Sequence, residues 1–122
     1  MATFRTLLEA RAALASGAVD PVHLLRATLA DISRVEPRLN AFVAVHAEAA
    51  LAAAAAVRER GADVAGPLGG VPVAIKDNLD EAGLPCSAGS AAYRDRVPAQ
   101  DAAVVGRLRS AGALFLVRPA CG

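Results

Sequence analysis

The chain has 122 residues, which is enough for one compact domain and too few for two. Apolar residues make up 55% of it and aromatic residues only 3%, so we expect a core built from Ala, Val and Leu. Thirteen basic and twelve acidic residues give a net charge of +1. They form neither a basic stripe nor an acidic tail, which argues against a nucleic-acid partner and favours a solvated surface of mixed charge.

The N-terminal region does not resemble a signal peptide, because Arg5, Glu9 and Arg11 interrupt any apolar run. The longest apolar stretch, residues 49–57, is mostly Ala and too short to span a membrane. Cys86 and Cys121 lack the spacing of metal ligands. We therefore predict a soluble, cytoplasmic protein with two unpaired thiols, no metal and no contact with a membrane.

Two helices are predicted at the start of the chain. Thr3 is the expected cap of the first helix, and Gly17 its end. Asp20 precedes a proline, a strong signal for the start of the second helix, and Pro37 is expected to close it. The apolar positions at helical spacing are Phe4, Leu7, Leu8, Leu14, Val22, Leu25, Leu29 and Ile32. We expect these helices to form a hairpin over residues 1–40.

The rest of the chain is predicted to alternate between helices and strands. An Ala-rich helix over 47–60 ends at Gly61, and a loop over 61–70 leads into a strand over 71–75. An irregular stretch over 79–99 follows. A helix from Asp101 to Gly112 and a buried strand over 113–117 complete the predicted elements. Residues 41–45 stay unassigned. A strand, helix and strand in this order predict a parallel pair, and ligands bind at the carboxyl ends of such strands.

Lys76 lies at one of these strand ends and is the only lysine, whereas the other twelve basic residues are arginines. Arginine stays protonated, but a buried lysine can lose its proton near neutral pH. Two interpretations follow from the residues alone. Lys76 is either a strand-end lysine whose ammonium reaches water or a desolvated general base that activates a hydroxyl nucleophile.

Other residues that could carry chemistry are better explained by structure. The glycines of residues 66–70 do not fit a phosphate-binding loop, and a turn into the next strand is the simpler interpretation. Ser87 and Ser90 lack the flanking glycines of a nucleophile elbow and are expected to shape a loop. His23 and His46 have no partners at metal-binding spacing, so we treat them as surface or packing residues.

Several segments together resemble one enzyme family. The segments are Gly-Pro-Leu-Gly-Gly-Val-Pro-Val-Ala-Ile-Lys-Asp-Asn at 66–78, Ala-Gly-Leu-Pro at 82–85, Ala-Gly-Ser at 88–90, Asp-Ala-Ala-Val-Val at 101–105, Leu-Arg-Ser-Ala-Gly-Ala at 108–113 and Pro-Arg-Leu-Asn-Ala-Phe at 37–42. In order and spacing they resemble the amidase signature family from Val22 to Leu116. General amidases and the A subunit of the aspartyl/glutamyl-tRNA amidotransferase resemble the chain equally.

The resemblance implies an α/β fold. An N-terminal helical hairpin over 1–40 would be followed, over 41–122, by the first strands and helices of an incomplete α/β/α mixed-sheet domain. It also implies hydrolysis of a carboxylic amide by a Ser-Ser-Lys triad without a cofactor. In that triad Lys76 would be the catalytic base, accepting a proton that a second serine relays from the nucleophilic serine. Burial would lower the pKa of the lysine for this role.

The chain departs from the family in three places. None of its five serines matches a catalytic position, and Gly69 stands where the family often has histidine. After Leu116 the family usually continues Gly-Lys-Thr-Asn, whereas residues 117–122 read Val-Arg-Pro-Ala-Cys-Gly. We interpret this change as the mark of a frameshifted or truncated reading frame, which explains it more directly than a cloned fragment or a genuine short protein. The few predicted strands would also leave open sheet edges.

Two functional hypotheses follow. In the first, the chain is an incomplete amidase that carries only the lysine and has no activity alone. In the second, it is a non-enzymatic interaction module or one half of a split amidase, and it associates with itself or with the missing segment through its open sheet edges.

Overall fold

The computed structural model of the chain describes residues 4–121. The α-helices within this range are α1 (Leu7–Ser16), α2 (Pro21–Leu39), α3 (Ala47–Arg60), α4 (Ala62–Ala65) and α5 (Ala103–Ser110). The strands are β1 (Phe42–Val45), β2 (Pro72–Ala74) and β3 (Leu114–Pro119), and a 3-10 turn covers Ala91–Tyr93. Across the described range, no helix combines the length and the apolar character needed to cross a membrane.

The three strands form one mixed sheet in the order β1-β3-β2. β3 pairs antiparallel with β1 and parallel with β2, which confirms the predicted parallel pair. Leu114, Leu116 and Val117 of this central strand are buried, as its continuous apolar run predicts. β1 and β2 are the outer strands, so each has one edge without a strand partner among residues 4–121.

Helices α2 and α3 cover the sheet and contribute most of the core. Leu25 of α2 and Ala54 of α3 are fully buried, and Ala50 is 2% exposed. The small alanine side chains let α3 approach α2 and β3 closely, which confirms the expected packing of this helix. The predicted positions on α2 also lie in this core, with Val22 and Leu25 buried and Leu29 and Ile32 packed against them.

The first helix differs from its predicted form. Its cap is Thr6, whose hydroxyl oxygen accepts the Glu9 N–H at 3.1 Å, whereas Thr3 lies outside the described residues. Its end at Gly17 is confirmed, with φ of 77° at that glycine. The predicted apolar face is wrong for Leu7 and Leu8, which are 51% and 69% exposed. Only the inner side of this helix packs, through residues such as Leu14, and no other element of the described chain covers the outer side.

The second helix begins at Pro21, capped by Asp20 as predicted, but Pro37 does not close it. The helix continues to Leu39 and ends at Asn40, which has φ of 48° and donates its N–H to Glu36 O at 2.7 Å. A proline in the last turn removes only one helical hydrogen bond. The left-handed cap at Asn40 stabilises the turn that follows, so the helix tolerates this loss.

Smaller differences concern the loops and strand ends. The stretch 61–70, predicted as a loop, contains the short helix α4. β2 is shorter than predicted and its Ala74 is exposed, whereas β3 extends to Pro119. Asp101 does not cap α5, because its carboxylate instead accepts the Ala82 N–H and the Arg109 guanidinium. A contact distant in sequence thus replaces the local cap.

Candidate functional site

Lys76 lies at the carboxyl end of the parallel strand pair, where the sequence places it. The peptide groups on both sides of it pair with β3: the Ile75 N–H donates to Val117 O and the Asp77 N–H to Pro119 O, each at 3.0 Å. The Lys76 side chain itself is exposed. Residues 4–121 therefore fix the backbone of this lysine but do not supply the desolvation that a general base requires.

A buried ionic cluster lies directly beside Lys76. The Arg118 guanidinium donates to Asp77 Oδ1 at 3.3 Å and makes a short contact with Glu81 Oε2. All three residues are at most 3% exposed. One guanidinium thus serves two buried carboxylates, and removal of Arg118 would leave both of them in the core without a cation.

The contacts of Arg118 with Glu81 and Asp77 stabilise the charged form of its guanidinium. Burial alone would lower the pKa of Arg118, but its hydrogen bond to Glu81, with help from Asp77, raises that pKa above its ordinary value. The sequence interpretation, which assigned the charges to a solvated surface, is wrong for these residues. The sequence contains one signal for this cluster, which is the position of its members. Arg118 comes directly after the predicted strand 113–117, and Asp77 comes shortly after the predicted strand 71–75.

The loop 86–90 closes over the Asp77 side of the cluster. Ser87 Oγ donates to Asp77 Oδ2 at 2.6 Å, and the Ala88 N–H donates to Asp77 O at 2.8 Å. Ser90 accepts the Ala92 N–H at 3.3 Å and so caps a turn. Both serines therefore shape the loop as predicted. Burial raises the pKa of the nearby Cys86 thiol.

A second ion pair holds the outer side of the same segment. Arg96 binds Asp80 through two parallel hydrogen bonds of 2.7 and 2.8 Å. The bonds from Arg96 lower the pKa of Asp80 to about 2. The segment from Lys76 to Glu81 is thus held by a buried arginine on one side and an exposed arginine on the other.

An open cavity of about 390 Å³ lies over the cluster. Polar side chains that line it include those of Asp77, Ser87, Arg94 and Arg118. His46 also lines it, and its buried Nε2 atom has no hydrogen-bond partner within residues 4–121. Lys76 is not among the lining residues, so the structure does not bring the predicted base together with Ser87 or Ser90.

Comparison with known proteins identifies the family. The sequence pattern of the Amidase family matches residues 23–120, so the match extends past Leu116. Among curated proteins, the chain is 42% identical over 114 residues to the A subunit of the glutamyl-tRNA(Gln) amidotransferase of Oleidesulfovibrio alaskensis. It is 41% identical over 114 residues to the corresponding protein of Streptomyces coelicolor.

Solved structures agree with this result. The peptide amidase of Stenotrophomonas maltophilia superposes with a TM-score of 0.83 at 34% identity, covering 94% of this chain and 24% of the peptide amidase. A fatty acid amide hydrolase superposes with a TM-score of 0.88 at 19% identity, covering 93% of this chain and 21% of that enzyme, which shows the shared fold alone.

The alignments cover most of this chain but only a small part of each relative. The chain is covered almost completely, at 93% against the Oleidesulfovibrio protein and 91% against the Streptomyces protein, but it spans only 23% of each. The described helices and three-stranded sheet thus correspond to about a quarter of a larger α/β enzyme. The chain belongs to the amidase signature family, of whose members it represents the N-terminal segment.

Proposed function

We propose that this chain supplies the lysine base of an amide-hydrolysing site that uses a Ser-Ser-Lys triad. The observation that carries the proposal is the position of Lys76, the only lysine, at the carboxyl end of β2 inside the family-matched segment. Its backbone is fixed on both sides by β3. A base held in this way can act on a hydroxyl group that another segment presents to it.

We further propose that the 122 residues have no amidase activity alone. Ser87 and Ser90 are committed to loop contacts, and Ser16, Ser33 and Ser110 are exposed on helices. Among residues 4–121, no hydrogen bond joins any of these serines to the Lys76 side chain. A base without a nucleophile lacks the covalent step.

The proposed substrate is a carboxylic amide. The support is the agreement of the relatives, which are named as amidases or as part of an amidotransferase. Direct hydrolysis and transfer of the amide nitrogen both begin with attack on the amide carbonyl, so one lysine base serves either reaction. We infer a cytoplasmic setting from the two free cysteines, and cell fractionation with antibodies would test it.

The test is a chimera in which residues 23–120 replace the corresponding segment of the Stenotrophomonas maltophilia peptide amidase. The chimera is expected to hydrolyse a peptide amide and to lose at least about a thousandfold in kcat when Lys76 is changed to Ala, as expected for removal of a triad member. The isolated 122-residue chain is expected to release no ammonia from the same amide.

The matched control is Arg34→Ala, which removes an exposed cation of α2 far from the strand end. It should leave kcat of the chimera unchanged. Amide hydrolysis by the isolated chain would contradict the proposed inactivity. A folded chimera that is inactive with Lys76 present, or equally active without it, would contradict the assignment of the base.

The alternative function, an interaction module or half of a split amidase, is favoured by one observation. β1 and β2 are outer strands of the described sheet, and Val43 and Val45 of β1 are 54% and 41% exposed. Mixing the chain with a peptide amidase that lacks its own first quarter distinguishes the cases. Restored activity that depends on Lys76 supports a split enzyme, whereas binding without activity supports an interaction module.

A further inference from the structure

The segment from Lys76 to Glu81 is wrapped around a single side chain. Arg118 Nη2 donates to the backbone carbonyl of Leu79 at 2.8 Å and to that of Lys76 at 3.4 Å. Through its other nitrogens the same guanidinium binds the carboxylates of Asp77 and Glu81. The side chain of Arg118 is only 2% exposed, so water does not compete for these bonds.

We propose that Arg118 is the positioning residue for Lys76, an inference that rests on the proposed function. The planar guanidinium offers five donors in a fixed geometry, and here they meet four acceptors that all belong to the segment after β2. Arg118 sits on β3, the central and most buried strand. It therefore ties the backbone of Lys76 to the most rigid part of the sheet.

The backbone requires this support because Lys76 itself has no side-chain anchor. No ion pair between residues 4 and 121 includes its ammonium, and a lysine stem is flexible. The position of its Cα and the direction of its Cβ are therefore set by backbone contacts, which are the pairing with β3 on both sides and the turn that follows. That turn is closed by the Leu79 N–H on Lys76 O at 3.0 Å, and Arg118 binds the same carbonyl.

The fact that Lys76 is the only lysine allows a direct test in the 122-residue chain. Reductive methylation with carbon-13 formaldehyde places one pair of labelled methyl groups on its side chain, and Lys76→Arg identifies the resonance. We expect Arg118→Gln to move this resonance toward its position in urea. Glu81→Gln should shift it in the same direction by less. The control Arg109→Gln breaks an exposed ion pair with Asp101 and should leave the resonance unchanged.

Each outcome decides the proposal. An unchanged Lys76 resonance in a folded Arg118→Gln or Glu81→Gln chain would overturn it. Loss of the whole fold in both variants, seen by circular dichroism, would also overturn it, because the cluster would then have no separate effect on Lys76. If only the Arg118→Gln chain unfolds, the Lys76 resonance of the folded Glu81→Gln chain decides between the outcomes. The measurement involves no amide turnover, so its result is independent of the chimera that tests the proposed function.

Kinetics of the chimera then separate positioning from stability. A displaced base should lower kcat by about ten- to a hundredfold at unchanged KM. Arg118→Lys retains the buried positive charge between the two carboxylates and should recover part of the loss seen with Arg118→Gln. A folded Arg118→Gln chimera with the parent kcat would contradict the positioning role. Activity that survives Lys76→Ala would instead contradict the proposed function.

Discussion

Gly69 is a position where the backbone leaves no space for a side chain. A Cβ atom built there would lie 2.1 Å from the carbonyl oxygen of Ala62, a backbone atom that cannot move aside by itself. We expect Gly69→Ala to lower the free energy of unfolding by about 1–3 kcal/mol, and Gly69→His by more, because either side chain forces α4 away. Urea denaturation followed by circular dichroism measures the change.

The matched control for this change is Gly106→Ala in α5, where an added Cβ meets no atom within 4 Å. It should raise the free energy of unfolding by up to about 1 kcal/mol, since alanine favours a helix. An equal effect of both substitutions would contradict the steric explanation. A larger effect at Gly69 than at Gly106 would show that the close approach of α4 requires a glycine at position 69.

Asp80 makes the stability of the segment after β2 dependent on acid. Arg96 lowers the pKa of Asp80 to about 2 in the folded chain, against about 3.9 for an unperturbed aspartate. The stabilising effect is therefore complete above about pH 4 and disappears as the pH falls through about 2. We expect the parent chain to exceed Asp80→Asn in urea midpoint between pH 5 and 7 and to equal it near pH 2. In an Arg96→Gln background the difference in urea midpoint between chains with and without Asp80→Asn should be much smaller, because Arg96 is the main cause of the lowered pKa of Asp80.

Among the elements, the junction of α2 and β1 depends on one carboxylate. Glu36 in the last turn of α2 accepts the N–H groups of Ala41 and Phe42 at 2.7 and 3.0 Å, and so sets the direction in which β1 begins. Glu36→Ala leaves both donors without this partner and should cost about 1–2 kcal/mol in the free energy of unfolding. Glu36→Gln retains an acceptor and should cost less.

Glu59 provides the comparison for this prediction, because it is an exposed glutamate of α3. Its change to Ala should alter the free energy of unfolding by less than about 0.5 kcal/mol. Equal losses for Glu36→Ala and Glu59→Ala would show that helix propensity, and not the capping of β1, causes the effect. Thermal denaturation of the two variants side by side decides the question.

The elements that sequence reasoning predicts correctly are those whose signals are local. Helix α3 has its predicted bounds of Ala47 and Arg60 because its composition and its terminal glycine act within a few residues. The predicted end of α2 was wrong because Pro37 in the last turn removes only one helical hydrogen bond, and the left-handed cap at Asn40 ends the helix instead. β1 could not be assigned from four residues, since pairing with β3 defines it.

In the candidate site, too, only the features with a local sequence signal could be predicted. Lys76 could be placed at a strand end from periodicity alone, and the structure puts it there. The ionic cluster could not be predicted, because Arg118 meets Asp77 and Glu81 only after β3 has inserted beside β2. Separations of 41 and 37 residues leave no periodic signal. An arginine directly after an apolar strand is the only trace of the cluster in the sequence.

For the whole molecule, the incomplete sheet is the feature with the largest consequence. The outer strand β1 carries the exposed Val43 and Val45, and such a strand is a template for pairing with another chain. We therefore predict that the isolated chain associates with itself as its concentration rises. Changing both valines to Lys should keep the chain monomeric, since lysine on an edge strand opposes pairing. Sedimentation velocity over a range of concentrations measures the change.

The loss of self-association in this variant should depend on the edge of β1 and not on the added charge. Val64 on α4 and Val104 on α5 are 69% and 45% exposed, but they lie outside the sheet. Changing both to Lys adds the same charge and removes the same kind of apolar surface, so this variant should associate like the parent chain. If both double variants were monomeric, general surface hydrophobicity would explain the association. If only the β1 variant is monomeric, self-association occurs through the edge of β1, as the exposed Val43 and Val45 predict.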